Sequence, residues 1–384
     1  MKNPVYINSI ASVSPLGFSK EQIWENYKTD RHFIKKHDFS GTEAFAAFLP
    51  SDLKEELENL RNSESRFKGL DESVLYAVFS ARAAFKDAGW KKDDAIGINI
   101  GSSRGATQLF EKHYKEFIEY GKAGVLASPS TTLGNISSWV AQDLRTTGPD
   151  ISHSVTCSTG LHAVLNGIIW LQSGFADKFM VGGSEAALTP FTIAQMKAMK
   201  IYASQDLDFP CQALNMDKKY NSMILGEAAG VACISNNAEN SIAKISGIGY
   251  ATEELKHSVS ISANGTCFQK SMNMAIGDLE MSEIDAVVMH APGTIKGDEA
   301  ELYAINALFG KEIPALTSNK WKIGHTFGAS GILSMELAIL MLQNDEFIPV
   351  PFSTISKPPK RLKNILVNAV GFGGNAVSIL ISKN

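Results

Sequence analysis

The sequence predicts a layered α/β sandwich with a buried helical layer. Strand-like and helix-like segments alternate along the chain, at least one candidate helix is apolar on nearly every face, and several strands run straight into glycines. The first strand is expected over 5–13, closed by a Pro-Leu-Gly turn. Residues 20–66 are polar and charge-rich and read as surface helices and loops. Residues 71–89 place Val74, Leu75, Val78, Ala81, Ala84 and Phe85 at helical spacing and end at Gly89. Strands follow at 96–101 and 151–156, then a helix at 161–171 whose apolar character implies burial, then a strand at 178–183. Segments 230–235 and 242–250 continue the β content. The later part repeats the style, with strands at 286–289, 315–317, 365–370 and 376–382 and a helix at 329–342. The Asn-rich stretch at 236–240 suggests a division into residues 1–238 and 239–384, although no repeat is visible in the letters themselves.

Composition narrows the function classes. The 384 residues are 44% apolar and 20% charged, the mixture of a soluble globular protein, and the net charge of −4 gives no general attraction to nucleic acid or membrane. No apolar stretch reaches the roughly 20 residues needed to span a bilayer. The N-terminal segment lacks the long apolar region of a signal peptide. Four scattered cysteines form neither a zinc motif nor a disulfide framework and fit a reducing compartment, so a cytoplasmic enzyme without a metal is expected.

Cys157, in Ser-Val-Thr-Cys-Ser-Thr-Gly, stands where a strand turns sharply into a buried helix. A thiol there faces a helix N-terminus, whose partial positive charge favours the thiolate, and its small neighbours let a carbonyl approach. Most cysteines are small buried hydrophobes, and Cys233 in an apolar strand and Cys211 and Cys267 in polar loops are read that way. His290 ends a strand before Ala-Pro-Gly-Thr, and His325 sits in Gly-His-Thr-Phe-Gly-Ala-Ser-Gly just before a helix. Both are candidate catalytic groups. His162 reads as a core residue, and His32, His37, His113 and His257 as surface ones. Gly371-Phe372-Gly373-Gly374 lacks the Lys-Ser/Thr of a phosphate loop and instead suits a turn that aims backbone N–H groups at an oxyanion. Asp298 and Glu301 share one helix face, where carboxylates are often no more than first-turn charges.

Together these pieces resemble the β-ketoacyl-[acyl carrier protein] synthases, condensing enzymes of the KAS I/II type in the thiolase superfamily. The resemblance spans nearly the whole chain. It rests on six motifs in order: 155–160, Gly182-Gly183-Ser184-Glu185-Ala186-Ala187, Leu225-Gly226-Glu227-Ala228-Ala229-Gly230, His290-x-x-Gly-Thr294-x-x-Gly-Asp298-x-x-Glu301, Ser318-x-Lys320-x-x-x-Gly324-His325, and the glycine turn at 371–374. It implies a thiolase-like five-layered αβαβα sandwich of two similar halves, one carrying the nucleophile and the other both histidines and the glycine turn.

The resemblance also implies roles. Cys157 would carry the acyl group, His290 and His325 would assist decarboxylation of malonyl-carrier, and Lys320 would be a buried partner of Glu301. Backbone N–H groups of Cys157 and Phe372 would form the oxyanion hole, with Glu301 and Asp298 as structural support. Thr294 would bind the phosphopantetheine arm, which arrives on an acyl carrier protein, so no cofactor of the enzyme's own is needed. Met196 replaces the family's gating phenylalanine, Pro292 a threonine and Val370 an aromatic residue. Arg104 stands where an apolar residue commonly borders the acyl pocket, which implies a short, polar-ended or carboxylate-closed pocket and a specialised polyene or polyketide pathway. The implied partners are the carrier, docked at Arg66 and Lys68, and a second identical or related subunit. Two alternatives are a non-elongating chain-length-factor-like subunit, disfavoured by the complete Cys-His-His-Lys set, and a thiolase or acyl hydrolase, disfavoured because no cysteine follows Cys267.

Overall fold

The computed structural model describes residues 4–92, 94–133, 135–254, 261–355 and 357–384. His257 lies outside them. Ten strands form one hydrogen-bonded sheet: β1 Val5–Val13, β2 Ile96–Gly101, β3 Asp150–Ile151, β4 Lys178–Glu185, β5 Ala228–Ser235, β6 Ala243–Thr252, β7 Ala286–Val288, β8 Ala315–Thr317, β9 Asn364–Gly371 and β10 Asn375–Ser382. Their spatial order is β8-β7-β9-β10-β6-β1-β5-β4-β2-β3. Read outward from the central β6–β1 pair, both wings follow the same rule. In each, the first strand of the half lies innermost and its second, third and fourth strands form a parallel group, edged by the fifth running antiparallel. The duplication that the letters hide is therefore explicit in the topology. Only Val5, Tyr6 and Ile7 pair across the seam, with Ile245, Lys244 and Ala243.

Helices complete five layers. α1 (Glu72–Asp87) and α2 (Asn135–Leu144) cover the outer face of the first wing, and α4 (Thr266–Ile276) and α5 (Ile295–Phe309) cover that of the second. Between the wings lie α3 (Thr159–Ser173) and α6 (Ser330–Asn344), both touching strands of each half. Every residue of α6 from Ser330 to Leu342 is buried, so its apolar sides are each covered by a sheet or by α3. Its one carboxylate, Glu336, accepts a hydrogen bond from Ser12 Oγ at 2.8 Å. α3 is less enclosed than its composition implies: Ile169 is 55% exposed.

The charge-rich region 20–66 holds more than helices and loops. Lys35–Asp38, Glu43–Ala47 and Leu225–Gly226 form a small separate sheet whose residues Ala44–Ala47 are buried. β3 has only two residues rather than the six expected at 151–156, because the chain leaves the sheet edge early to reach Cys157. Cys267 lies in α4 rather than in a polar loop, and it is fully buried, as is Cys211. Among the described residues, no helix is long and apolar enough to cross a membrane.

The halves meet through backbone as well as side chains. A Cβ added to Gly183, at the end of β4, would lie 2.4 Å from the Gly328 carbonyl oxygen in the turn before α6. Backbone atoms cannot yield as a flexible side chain does. Gly183→Ala is therefore expected to destabilise the protein by about 1–3 kcal/mol through overpacking, read as a lower denaturant midpoint with an unchanged m-value.

Candidate active site

Six turns converge where the parallel strands of both wings end at their carboxyl termini, the usual place for a site in open α/β sheets. The first half contributes the turn after β2 with Arg104, the Cys157 turn between β3 and α3, and Glu185 at the end of β4. The second half contributes His290 after β7, His325 between β8 and α6, and Phe372 after β9. Cys157 and His325 thus occupy equivalent positions in the two halves, each just before a middle-layer helix. Gly160 lets those helix starts close together, since a Cβ there would sit 2.9 Å from the Gly328 carbonyl oxygen.

Cys157 is carried on a strained corner. Thr156 before it has φ 46°, a left-handed conformation that a β-branched residue rarely adopts. Hydrogen bonds hold the corner: Thr159 Oγ1 donates to the Thr156 carbonyl at 2.6 Å, and the Val155 N–H donates to Thr159 Oγ1 at 2.9 Å. Thr156 Oγ1 donates to the Phe372 carbonyl at 3.3 Å, tying the nucleophile turn to the glycine turn. A Cβ on Gly371 would lie 1.9 Å from that hydroxyl oxygen, so the contact requires glycine. The thiolate expected from the helix N-terminus is not the favoured state. Burial pushes the thiol up to about 12, Glu185 reinforces the shift, and Lys320 and Arg104 oppose it. Desolvation outweighs the helix end because the thiol lies in an apolar cluster with Ile193, Met196 and Phe327.

The two imidazoles stand edge to face, with ring centroids 5.2 Å apart. The Phe327 N–H donates to His325 Nδ1 at 3.0 Å, which places the ring proton on Nε2 and leaves that nitrogen a donor. The His325 N–H in turn donates to the Ile224 carbonyl at 2.6 Å. Burial and then the Lys320 charge lower His325 to about 3. Burial, His325 and Lys320 lower His290 well below the ordinary range. Both rings are therefore neutral near pH 7.

Beneath them the carboxylates hold backbone. Glu301 accepts from the His290 N–H at 2.9 Å and the Ala291 N–H at 2.8 Å, and from Asn368 Nδ2 at 3.1 Å. Asp298 accepts from the Gly293 N–H at 3.0 Å and the Leu214 N–H at 3.2 Å. Its ionic partner is Lys218 at 2.9 Å, a fully enclosed pair. Lys320 and Glu301 are both buried, as expected of partners, but they are not in ion-pair contact. The Lys320 ammonium donates to Asn319 Oδ1 and Ser334 Oγ, both at 3.2 Å, because Glu301 is already occupied by backbone amides. Glu301 still acts on Lys320 through space, and burial lowers the lysine to about 8. Thr294 caps α5, accepting from the Gly297 N–H at 3.2 Å, which leaves its hydroxyl proton available.

On the acyl side, Met196 is buried in the Cys157 cluster. The Arg104 guanidinium lies over the Phe327 ring, 5.7 Å from its centroid, and its Nη2 donates to Gln195 Oε1. Of the expected docking pair, Arg66 is engaged with Glu64 at 2.8 Å and Asp143 at 3.5 Å, so much of its charge is balanced locally. His162 Nδ1 donates to the Ser158 carbonyl at 3.1 Å, within its own helix start. Lys218, Asn368 and Gln195 escaped the sequence reading. Each is a single polar residue in an unremarkable stretch, and only the fold carries it to its partner. Among the described residues, no three His, Cys, Asp or Glu side chains are grouped to hold a metal ion.

Two family models match the chain, the β-ketoacyl synthase N-terminal domain over residues 2–240 and the β-ketoacyl synthase C-terminal domain over 242–351. A relative from Staphylococcus aureus (strain COL), 3-oxoacyl-[acyl-carrier-protein] synthase 2, is 25% identical over 99% of this chain and 98% of its own. The protein of the same name from Coxiella burnetii is 24% identical, covering 100% and 99%. Among solved structures, the ishigamide ketosynthase/chain length factor superposes with a TM-score of 0.88 at 20% identity, covering 100% of this chain and 99% of that one. A β-ketoacyl synthase from Burkholderia phymatum STM815 gives 0.84 at 21% identity over both full chains.

Two measurements test the site. Only the thiolate is alkylated, so iodoacetamide labelling of Cys157, followed by mass spectrometry, is expected to quicken about tenfold per pH unit from 7 to 10 without a plateau; levelling off by pH 8 would contradict the buried, neutral thiol. Lys218→Met strands Asp298 and is expected to lower unfolding free energy by about 3–5 kcal/mol, with partial recovery on adding Asp298→Asn.

Proposed function

Because the chain belongs to the β-ketoacyl synthase family, we propose that it joins an acyl group held on Cys157 to a malonyl unit delivered on an acyl carrier protein. In the first half-reaction the Cys157 sulfur attacks the acyl thioester, and the pantetheine thiol departs with the cysteine proton. In the second, the malonyl carboxylate leaves as CO2 and its bonding electrons form an enolate. That carbon attacks the acyl-cysteine carbonyl, and collapse of the tetrahedral intermediate frees the Cys157 sulfur and a carrier-bound β-ketothioester.

The observation that carries this reading is the pair of neutral imidazoles 5.2 Å apart beside the nucleophile turn. A general base for Cys157 would want an unprotonated nitrogen facing the thiol. His325 instead has Nδ1 occupied by the Phe327 N–H, which commits Nε2 to donation. A donor suits the malonyl thioester oxygen, where enolate charge develops. The Lys320 ammonium, buried behind both rings, adds positive potential at the same place. The backbone N–H groups of Cys157 and Phe372, on turns joined by Thr156, are the oxyanion donors for the addition step, and the Thr294 hydroxyl serves the pantetheine arm.

The carrier reaches the site from outside, and Lys68 is the charge left free of the expected docking pair to meet it. Four free cysteines suit a reducing cytoplasm. The product belongs to fatty-acid or to specialised polyene or polyketide synthesis, from a homodimer or from a heterodimer with a related subunit. A non-elongating chain-length-factor-like role is the alternative. The ishigamide structure and the ApeO–ApeC complex from Xenorhabdus doucetiae, at 19% identity and TM-score 0.80 over 100% of this chain and 98% of that one, contain such subunits. The intact Cys157, His290, His325 and Lys320 set favours the enzyme, since a subunit that only shapes a pocket has no use for a nucleophile.

With malonyl- and acyl-carrier substrates, the protein is expected to form β-ketoacyl carrier and to show an acyl adduct at Cys157 by mass spectrometry. Cys157→Ala should abolish the adduct and the product. His325→Ala should keep the adduct and lower condensation about 100-fold or more, the effect of losing one preorganised donor. Failure of the unaltered protein to form the adduct, while a copurifying subunit forms it, would transfer the role to that subunit.

A further inference from the structure

The turn after β2 is the counterpart, in the first half, of the His290 turn in the second, and it places an arginine beside the acyl-bearing cysteine. The Arg104 guanidinium is held on two sides, by the Gln195 amide oxygen and by the face of Phe327. Phe327 belongs to the cluster that encloses Cys157 and Met196. One further guanidinium donor, Nε–H, is inaccessible and has no protein acceptor among the described residues. A buried guanidinium donor without an acceptor is costly. Among the described residues Arg104 forms no ion pair; Glu185, on which its charge acts through space, bonds the turn's backbone instead.

The turn is also fixed in place. Glu185 is fully buried, and one of its oxygens accepts from Ser102 Oγ at 2.9 Å, from the Ser103 N–H and from the Arg104 N–H at 3.3 Å. Its second oxygen is buried and unpartnered. This anchorage fixes the backbone from which the Arg104 side chain springs, while Gln195 and the Phe327 ring hold the guanidinium itself.

We infer that Arg104, oriented by Gln195, is a specificity-determining residue that reads a hydrogen-bond-accepting oxygen on the acyl chain carried by Cys157. The substrate class is an acyl thioester bearing a ketone or carboxylate oxygen away from the thioester, in preference to a saturated alkyl chain of the same length. An alkyl chain would bury the Nε–H permanently without an acceptor, whereas an oxygen completes it. The inference rests on the ketosynthase reading, because it presumes acylation of Cys157.

The test is competitive loading. The protein is given equimolar acyl-pantetheine thioesters of matched length, about four to eight carbons, ending in a methyl, a ketone or a carboxylate, and the Cys157 adducts are quantified by mass spectrometry. At one or more lengths, an oxygen-bearing chain should outcompete its methyl counterpart about tenfold or more, and the ketone and carboxylate arms identify which acceptor is read. Arg104→Met should bring that ratio to about one. Gln195→Leu, which leaves the anchored turn intact and releases only the guanidinium, should lower it in the same direction. A methyl preference in the unaltered protein, or an unchanged ratio in both variants, overturns the inference while leaving the ketosynthase reading standing. Absence of any adduct from any thioester removes both.

Discussion

The structure depends on one close approach, the packing of the Cys157 turn against the turn that precedes α6. The Gly160 and Gly183 positions both abut the Gly328 carbonyl, and neither leaves room for a side chain. Everything chemical follows from that contact. It brings the start of one middle helix against the start of the other, and so sets the Cys157 thiol of the first half beside the His325 imidazole of the second. Neither half holds a usable set alone. The strained Thr156 corner, the Thr156–Phe372 bond and the glycine at 371 serve the same end, fixing the oxyanion turn relative to the thiol.

Around that contact, burial decides the electrostatics. Cysteine, histidine, lysine and glutamate side chains in the site are all pushed toward their neutral forms, with Cys157 at about 12, His325 at about 3, Lys320 at about 8 and Glu301 at about 7. A site that stabilises charge arising only during reaction, as the proposed enolate would, gains from this arrangement. Charge that is absent in the resting state and appears during reaction meets donors already oriented and little water to compete with them. Only a small fraction of the thiol is thiolate at neutral pH, which keeps it from indiscriminate nucleophilic attack.

Much of this was legible beforehand. Runs of β-branched residues marked most strands to within a residue or two, and β1, β2 and β8 fell where expected. The small-residue corner around Cys157 and the glycine-flanked histidines identified the site because close backbone approach leaves a signature in composition. The duplication leaves no repeat in the letters and is expected only from the order of elements and the family resemblance, because the halves share strand order and direction but not residues. Lys218 was missed since nothing local distinguishes a lysine that will be enclosed against Asp298, 80 residues away. The family resemblance pairs Lys320 with Glu301, whereas the carboxylate has backbone amides to satisfy first. The thiol was misjudged because a helix end is visible in sequence and the apolar cluster that desolvates it is not. The strands within 35–47 were hidden by the lysines and acids on their exposed side.

The seam between β1 and β6 carries a further consequence. The chain passes from one wing to the other once, through residues 236–242, and only three residue pairs bridge the sheet there. The protein is in effect a pair of topologically matched lobes covalently tethered at a surface loop, with the candidate site at their junction. Cutting that tether would leave two fragments, each displaying an unpaired strand and one face of the middle layer, with an active centre only on reassembly. Such an architecture lends itself to split-protein reporters.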